Sequence, residues 1–228
     1  MPEPLILDAD AVLWSDGALP LADRDLLVLL HGYGSDEHDL FGLRAYLSPD
    51  LVVASLAAPL TPPWPAPGRS WYPIEGLNSR DAAATTAAGE AVLAWLDEHA
   101  AGAASVGLLG FSQGGAVSLQ TLRLAPERID YVVNLSGYAT PGALPRDAEL
   151  AERRPPVFWG RGTHDDVIPE PLVLHTTQWL PDVVELSGRV YPGLSHSVSE
   201  QELSDVRTFI DKQVAALRSS DDTPSDKG

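Results

Sequence analysis

The chain has 228 residues, of which 44% are hydrophobic and 21% charged, the size and composition of one globular domain. Its formal net charge of −17 argues against nucleic acids and anionic membrane surfaces as partners, because their phosphates would be repelled. The absence of cysteine excludes disulfides, thiolate metal sites and a cysteine nucleophile.

The sequence carries no signal for export or membrane insertion. No apolar run reaches the roughly 18–20 residues that a membrane-spanning helix needs. The N-terminal segment lacks the basic stretch and the long apolar stretch of a secretory signal. We therefore expect a cytoplasmic protein without an integral membrane segment.

Strand-like and helix-like segments alternate along the chain, which is typical of βαβ units and a parallel sheet. The first two, 5–7 and 11–14, are predicted to be N-terminal edge strands that run antiparallel in the sheet. The central strands are predicted at 26–31, 51–57, 106–109, 130–135, 157–160 and 184–191. Helices are predicted at 36–47, at 81–101, from about 115 to about 124, at 170–180 and at 200–217, with a proline-rich surface loop at 59–73. We expect one domain over residues 1–218 and a disordered tail over 219–228.

A glycine-rich turn between the third central strand and the next helix carries a candidate nucleophile. Residues 110–114, Gly-Phe-Ser-Gln-Gly, fit the pattern G-x-S-x-G with Ser112 at its centre. The two glycines keep side chains out of a tight, strained turn, and the N-terminus of the following helix favours a developing oxyanion. The alternative is an ordinary strand–helix turn in which the serine caps the helix.

The loop after the first central strand is a candidate oxyanion loop. Two glycines flank Tyr33, and the backbone N–H groups of Tyr33 and Gln113 would be the oxyanion donors of a G-x-S-x-G hydrolase. A phosphate-binding loop is disfavoured, because Glu37 stands where G-x-G-x-x-G requires its third glycine. His31 is predicted to be structural and bonded within the loop.

Two later loops supply a carboxylate and an imidazole. Asp165 and Asp166 follow the fifth central strand, and His196 follows the sixth, directly before the last helix. The order of serine, aspartate and histidine is that of the G-x-S-x-G hydrolases. The two aspartates compete for the role of the acid, since an aspartate before a helix is more often a turn or cap residue.

Five segments together resemble the phospholipase/carboxylesterase family of small bacterial carboxylesterases and acyl-protein thioesterases. They are LLHGYG at 29–34, RSWYPIE at 69–75, GFSQGG at 110–115, GTHDDVIP at 162–169 and YPGLSHSVS at 191–199. The resemblance implies an α/β-hydrolase fold, with a mostly parallel central sheet flanked by helices. We expect no large cap domain, because residues 137–156 are too few to form one.

The resemblance also assigns roles to individual residues. It makes Ser112 the nucleophile, Asp165 the acid and His196 the general base. Asp166 replaces the proline that usually follows the acid, and the segment 167–169, Val-Ile-Pro, sets the register that selects Asp165. The candidate pocket residues are Tyr33, Trp71, Val167 and Leu194, each of which could instead only pack the loops, and for Trp71 packing beneath the catalytic loops is the favoured reading.

These features predict a serine carboxylesterase that hydrolyses small to medium acyl esters through an acyl-serine intermediate, without metal or cofactor. An acyl-protein thioesterase or lysophospholipase acting on long acyl chains is the first alternative. A dienelactone-hydrolase-like enzyme is disfavoured because it normally uses a cysteine. A non-catalytic ligand-binding module on the same fold is the alternative from another class. The expected partner is a small ester or thioester, and a homodimer stays open.

Overall fold

The computed structural model describes residues 4–16, 20–75 and 79–221. Its strands are β1 Leu13–Trp14, β2 Asp25–Leu30, β3 Val52–Leu56, β4 Ile74–Glu75, β5 Ser79–Arg80, β6 Ser105–Phe111, β7 Tyr131–Leu135, β8 Pro156–Gly162 and β9 Glu185–Tyr191. Within the described chain, seven of them form one sheet in the order β1-β3-β2-β6-β7-β8-β9, and β4 and β5 pair separately. Only β1 in the seven-stranded sheet runs antiparallel to its neighbour.

Helices cover both faces of the sheet. They are α1 Glu37–Phe41, α2 Ala82–His99, α3 Gln113–Leu124, α4 Asp147–Arg153, α5 Glu170–Val183 and α6 Glu200–Asp221, with short 3₁₀ turns at Ala9–Ala11 and Gly42–Tyr46. The mostly parallel sheet between helices confirms the predicted α/β-hydrolase architecture. None of the described helices is long and apolar enough to cross a membrane.

The strand β2 shows why its sequence is apolar at every position after the first. Leu26 and Val28 point into one core cluster, which includes Val92 of α2. Leu27 and Leu29 point into the other, which includes Phe209 of α6. A parallel strand covered by helices on both faces needs apolar side chains in both directions, and this produces a continuous run rather than an alternating one.

Several predicted boundaries differ from the observed ones. Of the two predicted edge strands, only Leu13–Trp14 pairs with the sheet, and 5–7 forms no strand. The helix predicted at 36–47 is divided into α1 and a 3₁₀ turn. The segment 137–156 holds the short helix α4 and the first residue of β8, in agreement with the expected lack of a large cap.

The predicted C-terminal tail begins too early. Residues 219–221 continue α6, and the rest of the predicted tail, 222–228, lies outside the described residues. The last turns of the helix are held by Arg218, whose guanidinium donates two hydrogen bonds to the buried carboxylate of Asp25 at 2.9 and 2.6 Å. This ion pair joins the C-terminal part of α6 to the start of β2.

Candidate active site

The candidate nucleophile lies in a strained turn between β6 and α3. Ser112 has φ 54° and ψ −112°, a conformation that side-chain-bearing residues rarely adopt. A Cβ added at Gly110 would lie 2.2 Å from the carbonyl oxygen of Gly114, and one added at Gly114 would lie 1.9 Å from that of Leu30. Both glycines of the motif are therefore required by close backbone contact, as the sequence pattern predicts.

Three side chains from three loops form a continuous chain of hydrogen bonds. His196 Nε2 lies 2.9 Å from Ser112 Oγ, and His196 Nδ1 lies 2.7 Å from Asp165 Oδ2. With the imidazole proton on Nδ1, the ring donates to the carboxylate and accepts from the serine hydroxyl. Their side chains are largely shielded from water, which strengthens the electrostatic coupling between them.

The structure distinguishes the two neighbouring aspartates. The second oxygen of Asp165, Oδ1, accepts hydrogen bonds from the backbone N–H groups of Val167 at 3.0 Å and Ile168 at 3.3 Å. These bonds fix the carboxylate with its other oxygen toward His196. Asp166 is exposed. The geometry thus places Asp165, and not Asp166, beside the imidazole.

The loops that carry the aspartate and the histidine are joined by backbone contacts. The N–H of His164 donates to the carbonyl oxygen of Leu194 at 2.9 Å, and the N–H of Thr163 donates to that of Tyr191 at 3.0 Å. A Cβ added at Gly162 would lie 1.9 Å from the Leu194 carbonyl oxygen. Because backbone contacts hold the two loops together, the Asp165 carboxylate and the His196 imidazole stay within hydrogen-bond distance of each other.

The two candidate oxyanion donors come from different parts of the fold, the loop after β2 and the start of α3. Gln113 is the first residue of α3, where backbone N–H groups have no partner within the helix. Tyr33 sits in the loop after β2, where the next residue, Gly34, has φ 77°. Tyr33 and Gln113 both line the cavity above Ser112. This arrangement is compatible with two N–H groups converging on a substrate oxygen.

His31 supports the oxyanion loop and takes no part in the hydrogen-bonded chain. It is fully buried, its Nδ1–H donates to the Gly32 carbonyl oxygen at 2.7 Å, and its Nε2 accepts from the Ala58 N–H at 3.1 Å. Burial lowers the pKa of His31 below its ordinary value. The neutral ring satisfies both contacts, as the structural role expected from the sequence requires.

The side chain of Gln113 anchors a further segment to the nucleophile turn. Its Oε1 accepts from the Trp71 N–H at 2.9 Å, and its Nε2 donates to the Tyr72 carbonyl oxygen at 2.7 Å. Trp71 is fully buried, and its indole N–H donates to the His31 carbonyl oxygen at 2.9 Å. Trp71 therefore packs beneath the catalytic loops, as the favoured interpretation of the sequence predicts, and it is not among the described residues that line the cavity. Its alternative role as a pocket residue stays a prediction.

A cavity of about 210 Å³ opens above Ser112. Its apolar and aromatic walls include Tyr33, Tyr72, Ile74, Phe111, Tyr138, Val167 and Ile168. Val167 lines the cavity as predicted. Leu194 is not among its described lining residues. The carbonyl oxygen of Leu194 accepts the hydrogen bond from the N–H of His164 that joins the two catalytic loops.

Sequence reasoning missed several wall residues that it had signals to find. Tyr72 directly follows Trp71 in the segment that carries the family resemblance. Which of the two lines the cavity depends only on which side chain points toward it. Tyr138 lies three residues beyond the end of β7, at the edge of the sheet where sites of parallel α/β proteins form. Phe111, inside the serine motif, packs its ring against the imidazole of His196 with centroids 4.9 Å apart.

Acyl transfer by a serine, a histidine and an aspartate requires no metal or cofactor. Within the part of the chain that the structure describes, Asp36, Glu37 and His38 bring potential ligand atoms within 4.8 Å of one another. These residues lie at the start of α1, where acidic groups cap the helix, and they do not line the cavity. The predicted independence from metals and cofactors stays a prediction.

The chain resembles known hydrolases over most of its length. A family profile described as Phospholipase/Carboxylesterase matches residues 20–214. Acyl-protein thioesterase 1 of Debaryomyces hansenii is 35% identical over 119 residues, which are 51% of this chain and 51% of that protein. Carboxylesterase SOBER1 of Arabidopsis thaliana is 26% identical over 215 residues, 86% of this chain and 94% of that protein.

A solved structure agrees with these sequence matches. The crystal structure of esterase PE8 superposes with a TM-score of 0.67 and 26% identity, and the match covers 84% of this chain and 93% of that one. The thioesterases of Debaryomyces hansenii and Saccharomyces cerevisiae are matched over only about half of their length.

Proposed function

Because the chain belongs to the Phospholipase/Carboxylesterase family, we propose that it is a serine hydrolase that cleaves carboxylic esters of small to medium acyl chains. The observation that carries the proposal is the hydrogen-bonded chain from Ser112 through His196 to Asp165, with contacts of 2.9 and 2.7 Å. A nucleophile, a base and an orienting carboxylate in contact are the requirement for activating a hydroxyl group.

In the first half of the reaction the acyl group moves to the enzyme. Ser112 Oγ attacks the carbonyl carbon of the ester while His196 Nε2 takes the hydroxyl proton, and the carbonyl electrons move onto the oxygen. The resulting oxyanion accepts hydrogen bonds from the N–H groups of Tyr33 and Gln113. The intermediate collapses when the carbon–oxygen bond to the leaving group breaks, and His196 delivers its proton to the departing alcohol.

In the second half water releases the acid. His196 takes a proton from a water molecule, whose oxygen attacks the acyl carbon, and a second oxyanion forms between the same two donors. Collapse returns the proton from His196 to Ser112 Oγ and frees the carboxylic acid. Asp165 stays ionised throughout and stabilises the charged imidazolium that exists during both halves.

Polar groups that are already held in place stabilise the charges that develop in the transition state, and this accelerates the reaction. Asp165 is already held in place because its second oxygen accepts hydrogen bonds from two backbone N–H groups. Little rearrangement is therefore needed when the imidazole becomes charged. Each oxyanion donor is expected to contribute on the order of 10²–10³-fold to turnover.

The size of the cavity supports the short end of the acyl range. Pockets for drug-sized ligands occupy about 300–1,000 Å³, whereas the cavity above Ser112 measures about 210 Å³. A long fatty acyl chain would have to extend beyond the cavity. Thioester hydrolysis is the second candidate, favoured by the relatives named acyl-protein thioesterase, and it would use the same groups with a thiol as leaving group.

Turnover of p-nitrophenyl esters from acetate to palmitate, together with an acyl thioester, tests the proposal. Ser112→Ala should reduce kcat on the order of 10⁶-fold, as loss of a serine nucleophile does in other hydrolases. Ser204→Ala, at an exposed position of α6, is the matched control and should retain full activity. If folded wild-type protein cleaves none of these esters or thioesters, the hydrolase reading is wrong and a ligand-binding module replaces it.

A further inference from the structure

The buried part of the cavity wall includes two tyrosines whose hydroxyl groups meet. The oxygens of Tyr72 and Tyr138 are 2.5 Å apart, and both residues line the cavity although they are 0% and 1% exposed. Tyr72 comes from the loop between β3 and β4, and Tyr138 from the loop after β7. The hydroxyl contact therefore joins two loops that are 66 residues apart in the sequence.

The positions of both rings are determined by their surroundings. The Tyr72 carbonyl oxygen accepts hydrogen bonds from Gln113 Nε2 and Ser70 Oγ, each at 2.7 Å, which fixes the backbone of this residue against the nucleophile turn. The Tyr138 ring packs in a separate apolar cluster that includes Ile168 and Leu172. Neither ring can leave the cavity wall without disrupting packed neighbours.

The geometry of acyl transfer leaves the buried part of the cavity, where the two tyrosines lie, for the acyl chain. In the tetrahedral intermediate the oxyanion points at the N–H groups of Tyr33 and Gln113, and the leaving group must lie next to His196 Nε2. The acyl chain takes the remaining direction from the carbon attached to Ser112. The open side carries Val167, which is 52% exposed, and offers the route by which a leaving group departs.

We infer that the Tyr72–Tyr138 pair forms the end wall of the acyl site and sets the longest acyl chain that the enzyme accepts. The inference rests on the proposed hydrolase function. Each acyl methylene that fits the cavity should raise kcat/KM about fourfold through burial of apolar surface. The first methylene that reaches the rings must displace them, so kcat/KM should fall sharply beyond one chain length.

The experiment compares kcat/KM for p-nitrophenyl esters from acetate to dodecanoate in wild type and two variants. Tyr138→Ala removes the wall and should move the optimum at least two carbons toward longer chains, with at least a tenfold gain for the first ester that wild type rejects. Tyr138→Phe is the matched control: it keeps the ring, which Ile168 and Leu172 hold in place, and should keep the wild-type optimum. For acetate esters of longer alcohols, the order of preference among the alcohols should be the same in Tyr138→Ala as in wild type.

Several results would overturn the inference. They are an unchanged optimum in Tyr138→Ala, an optimum that moves equally in Tyr138→Phe, or an altered tolerance for the alcohol instead of the acyl group.

A measurement on wild type alone covers the case in which Tyr138→Ala does not fold. Straight-chain alkylboronic acids form a tetrahedral adduct with a catalytic serine, and their inhibition constants should improve with length and then worsen abruptly; steady improvement through twelve carbons refutes the wall. Absence of any turnover by wild type would instead refute the hydrolase function itself.

Discussion

Glu202 is a carboxyl group that the fold holds away from water. It lies on α6 and is 0% exposed, and neither of its carboxylate oxygens has a hydrogen bond of ordinary geometry among the described residues. Burial raises the pKa of Glu202 from its ordinary value of 4.5 to about 7; the backbone N–H of Ser199 partly opposes this shift, and the negative charge of Asp205 adds to it. One oxygen also lies against the backbone of Gly160, where an added Cβ would come within 2.1 Å of it.

The raised pKa makes stability depend on pH in a defined direction. In the unfolded chain Glu202 loses its proton near pH 4.5, whereas in the folded protein it keeps the proton up to about pH 7. The folded state therefore binds more protons in this interval, and the free energy of unfolding falls as the pH rises through it. The full difference corresponds to about 3 kcal/mol, and most of it is lost between pH 5 and pH 8.

Glu202→Gln removes this dependence, because glutamine has nearly the same shape and no titratable proton. The difference in the free energy of unfolding between variant and wild type should shift by about 2–3 kcal/mol in favour of the variant when the pH is raised from 5 to 8. A constant effect of the amide group cancels in this comparison. Urea unfolding at both pH values measures the change. Glu200→Gln, at an exposed position of the same helix, is the matched control and should change by less than about 0.5 kcal/mol. A Glu202→Gln variant that follows the wild-type pH dependence would refute the reasoning.

Two further predictions concern the aspartate pair and a buried arginine. Asp165→Asn should reduce kcat on the order of 10⁴-fold by disturbing the imidazole tautomer, whereas Asp166→Asn should change kcat/KM by no more than about twofold; the reverse order would contradict the assignment. Arg123→Met should reduce the free energy of unfolding by about 3–5 kcal/mol, because this 2% exposed guanidinium makes two hydrogen bonds to Asp147 and one to each of two backbone carbonyl oxygens. Arg146→Met, which breaks exposed ion pairs, should change it by about 0–1 kcal/mol in the same urea experiment. Equal effects of the two arginine substitutions would contradict the argument from burial.

The sequence by itself determined the architecture and the order of the catalytic groups. A run such as residues 26–30 is apolar on both faces because helices cover both, and this pattern is readable without coordinates. The turn around Ser112 is equally local, since its two glycines are required by backbone atoms within the motif and in the adjacent strand. The loops that follow parallel strands converge at one edge of the sheet, which brought His196 to the serine as expected.

Only the tertiary structure decided which of two adjacent residues faces the site. In extended or turning chain, neighbouring side chains point in different directions, so shifting the register by one residue exchanges them. Trp71 points into the core and Tyr72 into the cavity because Gln113, 42 residues from Trp71, binds the backbone of both. No short-range pattern in the sequence contains that contact, and the meeting of Tyr72 with Tyr138 depends on it in the same way.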